Sequence, residues 1–351
     1  VKAKRNEEEI FRLHKASIDY MEEYTDIKFP FKKFGFALIP SFQFGGMEHV
    51  GAIQYKSSTL MLDENPSATD LLSRADLIGH ETTHMWFGDL VTMDWFNDVW
   101  TKEVFANFMS AKIVNPSFPE TNHQLRSHLR LHPSAYSVDR TEGSNPIRQE
   151  LPNLNEAGTM YGAIIYNKSP IMMQQLENLL GAENFRDGLR EYLAKHAFSN
   201  ATWPDLIEVL DKRSDKNIKQ WSEVWVNTAG RPTFKASDNS LDQIDIENQD
   251  RNWPQSFSIK TDNTISKVTF NENAIDLIVS TNTLHNANGL GYGLFPIDKS
   301  YIKNNWDDLG DLERAAAWIN LYEQLLEGNG TINPTQYINL ILWAVAREEN
   351  P

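Results

Sequence analysis

The run His80-Glu81-Thr82-Thr83-His84, with Glu103 following after eighteen further residues, constrains this chain more than any other stretch. Two histidines four apart face the same way on a helix, where they lie about 6 Å apart along the axis. Their imidazoles can then converge on one zinc ion at roughly 2.0–2.1 Å. Glu81, beside the first ligand, can point at water on the metal as a general base. The pentad must therefore be helical, and its surroundings agree. Over residues 67–78, Leu71, Leu72, Ala75 and Ile78 recur at helical spacing, and Ser67 or Thr69 can cap the start. Gly79 weakens the helix, but His80, His84 and Phe87 extend the same face, and Gly88 can end it. Histidine is scarce, 9 of 351 residues, so chance should produce this pattern about 0.02 times in such a chain.

A catalytic zinc site needs a third protein ligand and a fourth position open to water. A second helix is expected over 97–114, stopped by Asn115-Pro116. The interval from His84 is long enough for a turn and an antiparallel return. Glu103 sits in this helix among Trp100, Val104, Phe105 and Phe108, apolar company for a solvated carboxylate. Asn107, one turn on, is either a hydrogen-bond partner of a ligand or a plain helix-surface residue.

Four blocks in a fixed order resemble the zinc aminopeptidases of the aminopeptidase N and leukotriene-epoxide hydrolase group, the gluzincins. They are Gly45-Gly46-Met47-Glu48-His49, the pentad continuing through Met85-Trp86-Phe87-Gly88-Asp89, Trp100-Thr101-Lys102-Glu103-Val104-Phe105-Ala106, and Tyr166-Asn167-Lys168. The resemblance implies one Zn2+ on His80, His84 and Glu103, and an aminopeptidase that hydrolyses the first bond of peptides with a free α-amino group. It implies a zinc-activated water with Glu81 as general base and then acid, and Tyr166 as donor to the oxyanion, with Tyr161 ranked second. It also implies Glu48 as the counter-charge for the substrate amine, on an edge strand where Gly45, Gly46 and Met47 line the peptide. Small residues at 45 and 46 permit close backbone approach, and residues 52–62 are expected to form the next strand. The chain departs from the family pattern at His49 (Asn in the family), at Lys102 and Val104 (Asn and Gly), and at Ser169-Pro170 (Gly-Ala). A catalytically weak or silent peptide-binding scaffold is the alternative these changes motivate. Epoxide hydrolysis, found in one branch of the family, has no residue here in its favour.

The implied fold is α+β and multidomain. A thermolysin-like, mostly helical catalytic domain spans 1–229, a small β-sandwich 230–305, and the start of an α-helical domain 306–351. The pattern along the chain agrees with this order. An amphipathic helix over 6–24 carries Ile10, Leu13, Ile18 and Met21 inward and Glu7-Glu8-Glu9 outward. Helices are expected over 170–180, 183–196, 203–213 and 218–227. Strands follow within 231–298, at 257–260, 268–270 and 275–279. Helical period returns over 311–326 and 334–347, around a loop Gly328-Asn329-Gly330. The opening Val1-Lys2-Ala3 and the ending at Pro351 lead to the expectation of a fragment, with an N-terminal β domain and more of the helical domain in the full-length protein.

Trp86, Trp95, Phe96 and Trp100 are expected to be core packing, and the Arg126, His128, Arg130, His132 cluster a solvated helix end. A net charge of −15 argues against nucleic acid as a partner. The absence of cysteine excludes disulfides and thiolate zinc ligands. No apolar run reaches membrane-spanning length and no signal-peptide pattern is present; either a cytoplasmic or an exported location fits.

Overall fold

The computed structural model of the chain describes residues 2–159, 161–246, 251–277, 280–328 and 331–350. It divides into two compact units, Val1–Thr121 with Arg148–Lys219, and Asn122–Ile147 with Gln220–Pro351. In the first unit the order is α1 (Lys2–Thr25), β1 (Phe36–Ile39), β2 (Gly46–Met47), β3 (Ile53–Lys56), α2 (Ser57–Leu60), α3 (Ala68–Thr83), β4 (Val91–Met93) and α4 (Val99–Val114). The chain then leaves for α5 (His123–Asp139) and returns with α6 (Ser169–Leu180), α7 (Ala182–His196), β5 (Ser199–Ala201) and α8 (Trp203–Asp211).

Helix α1 buries Ile10, Leu13, His14, Ser17 and Met21; it starts four residues before the expected bound, and Ile18 sits at the margin of the stripe. Helix α3 starts where its sequence allows. The Ser67 hydroxyl accepts from the Asp70 amide at 3.1 Å and the Asp70 carboxylate accepts from the Ser67 amide at 3.0 Å. This capping box is worth about 1 kcal/mol, and Thr69 lies inside the helix. Gly79 has a positive role that its low propensity hides. A Cβ there would lie 3.0 Å from Ser110 Oγ, so the glycine lets α3 and α4 pack closely. The helix ends at Thr83, earlier than the Gly88 stop. The Met85 and Trp86 amides take the tighter bonds to Thr82 and Thr83 carbonyls, 3.2 and 3.0 Å, and both side chains turn fully into the core.

Strand β3 is central, parallel to β1 and antiparallel to β2, which forms an edge. The strand expected over 52–62 is only Ile53–Lys56. Ser57 and Leu60 both turn inward, a spacing of three that an alternating strand cannot bury on one face, so these residues form a helical turn. Trp86 and Trp100 are core, Trp100 packing on Trp203 at 4.6 Å between rings. Trp95 is not; it is 43% exposed, and its indole N–H donates to the Leu151 carbonyl at 2.8 Å.

In the second unit, α5 is a full helix over His123–Asp139, where the sequence suggests only a solvated helix end. Asn122 caps it by accepting from the Leu125 amide at 3.0 Å, and Pro133 lies inside it. His128 and His132 are buried at mid-helix, which overturns the solvated-end reading: Gly289 lies against the His128 ring and the Gly291 carbonyl meets His132 Nε2 at 3.2 Å, so this face looks inward. After α9 (Ile218–Trp225) come β6 (Thr233–Ala236), β7 (Ser240–Ile244), β8 (Gln255–Thr261), β9 (Thr264–Phe270), β10 (Ala274–Asp276) and β11 (Thr283–Leu284). They form two three-stranded antiparallel sheets, β10-β7-β6 and β11-β8-β9. Phe234, Leu241, Phe257, Ile259 and Phe270 from both sheets share one apolar cluster with Phe295. Of the run expected at 275–279, Ile278 and Val279 lie outside the described residues. Helices α10 (Tyr301–Asn305), α11 (Asp311–Glu327) and α12 (Pro334–Val345) hold a second cluster around Trp306, Leu321 and Leu340. Gly328 ends α11 in the left-handed conformation, φ 67°; Asn329 and Gly330 lie outside the described residues. Among the described residues, no helix is long and apolar enough to cross a membrane.

Candidate metal centre

The tight packing of α3 against α4 brings His80, His84 and Glu103 together. One ligand atom from each lies within 4.8 Å of the others. The His80 and His84 Nε2 atoms are 3.1 Å apart, and Glu103 Oε2 is 3.5 Å from the first and 4.0 Å from the second. His80 Nδ1–H can donate to Asn107 Oδ1 at 3.1 Å, and His84 Nδ1–H to the Phe87 carbonyl at 3.1 Å. With each Nδ1 carrying its proton, both Nε2 atoms present lone pairs. Two lone pairs and a carboxylate oxygen facing one point can hold a metal ion; without one, a proton on His80 Nε2 serves the bond to Glu103. Three such donors around one point suit a tetrahedral metal site with one open position.

The surrounding electrostatics follow from burial and crowding. Burial opposes ionisation of Glu103, but the His80 hydrogen bond and the nearby His84 and Lys102 win and hold it near 2. Burial likewise opposes charge on His80, yet the Glu103 hydrogen bond and neighbouring carboxylates raise its pKa. His84, more deeply enclosed, is lowered to about 4, by burial first and by His80 second. Glu81 behaves differently. Burial, with Glu48 and Glu103 adding to it against His80 and Lys102, pushes it up to about 8. Its Oε2 is buried without a hydrogen-bond partner among the described residues, a costly state unless something else uses that oxygen.

Strand β2 lies against this carboxylate. Gly46 pairs with Tyr55 and Met47 with Gln54. A Cβ on Gly46 would stand 2.2 Å from Glu81 Oε1, so only glycine admits both. Gly45 rests more loosely, its carbonyl accepting from the Lys56 amide at 2.8 Å. Glu48, just beyond the strand, has Oε1 4.0 Å from His84 Nδ1. With Glu81 and His84 it forms a second three-residue group within the same span. Burial opposes its charge, but His84 and Lys102 together keep its carboxyl below the usual range. The partner missing from the sequence-based reading is Lys102, whose ammonium lies 2.5 Å from Glu48 Oε1 and 3.3 Å from Glu103 Oε1. Its position beside Glu103 was the only signal available.

Tyr166 lies in a single π turn, Ile164–Lys168, a distortion that recurs at functional sites. Its ring is 37% exposed rather than packed into the core. Partial burial raises its phenol pKa, and the charges of Glu103, Lys102 and Glu48 all reach it. Tyr161 stacks on it at 6.2 Å and feels the same three charges. Both tyrosines therefore lie within electrostatic reach of Glu48, Lys102 and Glu103.

Residues 10–225 match the model of the peptidase family M1 domain. The chain is 29% identical over 340 residues to Tricorn protease-interacting factor F2 of Thermoplasma volcanium, covering 93% of this chain and 42% of that protein. It is 37% identical over 224 residues to puromycin-sensitive aminopeptidase of Caenorhabditis elegans, 63% of this chain and 23% of that protein. It is 32% identical over 226 residues to leucyl aminopeptidase of Saccharolobus solfataricus, 64% of this chain and 29% of that protein. The chain thus spans less than half the length of these curated relatives.

Proposed function

The chain belongs to peptidase family M1, and from that premise we propose that it acts as a zinc-dependent aminopeptidase on peptides with a free α-amino group. The observation that carries this reading is the convergence of His80 Nε2, His84 Nε2 and Glu103 Oε2 beside a Glu81 carboxylate oxygen that has no hydrogen-bond partner among the described residues. Zinc held by His80, His84 and Glu103 would supply Lewis-acid activation of water and of the scissile carbonyl. Glu81 takes the proton from the attacking water and returns it to the leaving amine. Tyr166, kept protonated by its raised pKa, donates to the developing oxyanion. The substrate backbone adds along Gly45, Gly46 and Met47 at the exposed edge of β2, and Glu48 receives its α-ammonium. Asn107 fixes the tautomer of His80. We assign these roles to a thermolysin-like domain over 1–229, followed by a β-sandwich over 230–305 and the first helices of a further domain over 306–351.

Hydrolysis of leucine p-nitroanilide by the zinc-loaded protein, compared with its N-acetyl form, tests the reading. Cleavage of the free amine alone is expected. Equal cleavage of both would point to an endopeptidase, and cleavage of neither would remove the peptidase assignment.

A further inference from the structure

We propose that Lys102 is a specificity-determining residue: its ammonium occupies Glu48 from within the protein, so a substrate's free amino terminus must compete with it. The inference rests on the aminopeptidase reading, in which Glu48 is the amine anchor.

Lys102 Nζ lies 2.5 Å from Glu48 Oε1, and the two side chains are only 15% and 13% exposed. This is a charge-assisted bond shielded from water, not a loose surface pair. Lys102 belongs to the first turn of α4, directly before Glu103, so its backbone is held by the same helix that supplies the third ligand. Glu103 divides its two oxygens. Oε2 faces the imidazoles and Oε1 lies 3.3 Å from Lys102. The ammonium therefore bridges the anchor carboxylate and the ligand carboxylate.

The consequence follows from charge balance. A carboxylate already bonded to one ammonium attracts a second less, and the two cations repel at such distances. An α-ammonium arriving at Glu48 must displace Lys102, which can remain on Glu103 Oε1. A blocked amino terminus carries no charge and makes no such exchange. Lys102 therefore narrows the preference for free over blocked termini, whereas a neutral residue at this position would leave Glu48 fully open to the substrate amine.

Calorimetric binding of leucine hydroxamate and of N-acetyl-leucine hydroxamate to the zinc-loaded protein tests this directly. Wild type is compared with Lys102→Asn and Lys102→Gln, each also combined with Glu48→Gln, with zinc content and melting temperature measured on every variant. Lys102→Asn should tighten the free-amine probe about tenfold and leave the acetylated probe unchanged. The gain should vanish in the Glu48→Gln background. Unchanged or weaker binding of the free amine, equal tightening of both probes, or loss of zinc from both lysine variants would overturn the assignment and make Lys102 a structural counter-charge for Glu103. Because the readout is binding, the role of Lys102 is decided whether or not an aminoacyl amide is turned over. Absence of turnover in the wild type counts against the aminopeptidase reading instead.

Discussion

Two histidine pairs stand four residues apart on helices in this molecule, and their ring nitrogens end in opposite situations. On α3, His80 and His84 each have an acceptor for Nδ1–H, so their Nε2 lone pairs face each other at 3.1 Å with Glu103 alongside. On α5, His132 Nε2–H donates to the Gly291 carbonyl at 3.2 Å, leaving its Nδ1 as acceptor. His128 Nδ1–H then fills it, at 3.0 Å. One proton joins the two rings of the second pair, while His128 Nε2 stays buried with no hydrogen-bond partner among the described residues; tyrosines rather than carboxylates surround the pair, with Tyr136 and Tyr292 both within about 6 Å of the His132 ring. Among the described residues, only groups at the first pair gather three possible metal ligands. Spacing on a helix is thus shared by a candidate metal site and a packing element. What separates them is which nitrogen is tied up and whether carboxylates stand opposite.

The two pairs should diverge most at Glu81, which has no counterpart beside the second pair. Glu81→Gln should keep zinc and lower kcat by about 10²- to 10⁴-fold, as expected on removing a general base; steady-state kinetics with parallel metal analysis would reveal a variant that retains full turnover.

Next is the response to acid. His132, His14 and His285 are each lowered to about 4, by burial before any other cause. The unfolded chain takes up these protons first as pH falls below about 6.5. Stability is therefore complete above that value and is lost progressively down to about 4, by roughly 3 kcal/mol for each histidine. Urea unfolding at pH 7 and pH 5 measures the difference. His132→Gln should flatten the profile, and an unaltered profile would show that this pair is not held neutral.

The smallest of these effects concerns Asn107. Its removal frees His80 Nδ1 without touching a ligand, and Asn107→Ala should weaken zinc binding by about 10- to 100-fold, measured by competition with a chelator. An unchanged affinity would mean that His80 needs no partner to hold its orientation.

How much was legible beforehand depended on the range of the interaction. The pentad's helix, its Ser67 cap and the return to Glu103 are set by spacing within some forty residues, and the sequence displays them. Asn107 was open between two roles because a helix-surface position does not reveal what lies across the groove. The Lys102–Glu48 bond joins residues fifty-four apart, and only folding shows it. The length of helix α5 was hidden by Pro133 and by a run of basic residues that suggests solvent. Strands β1, β4 and β5 are three or four residues long and pair in parallel with distant partners, so neither alternation nor a local turn announces them. The π turn at Tyr166 has no sequence signature that periodicity can detect.

Zinc stoichiometry of two matched variants, His84→Gln and His132→Gln, sets one histidine pair against the other in a single experiment. One zinc per chain is expected in the wild type and in His132→Gln, with loss of that zinc in His84→Gln. Zinc retained at full occupancy in His84→Gln, or lost equally from both variants, would be incompatible with a metal centre built on the first pair alone.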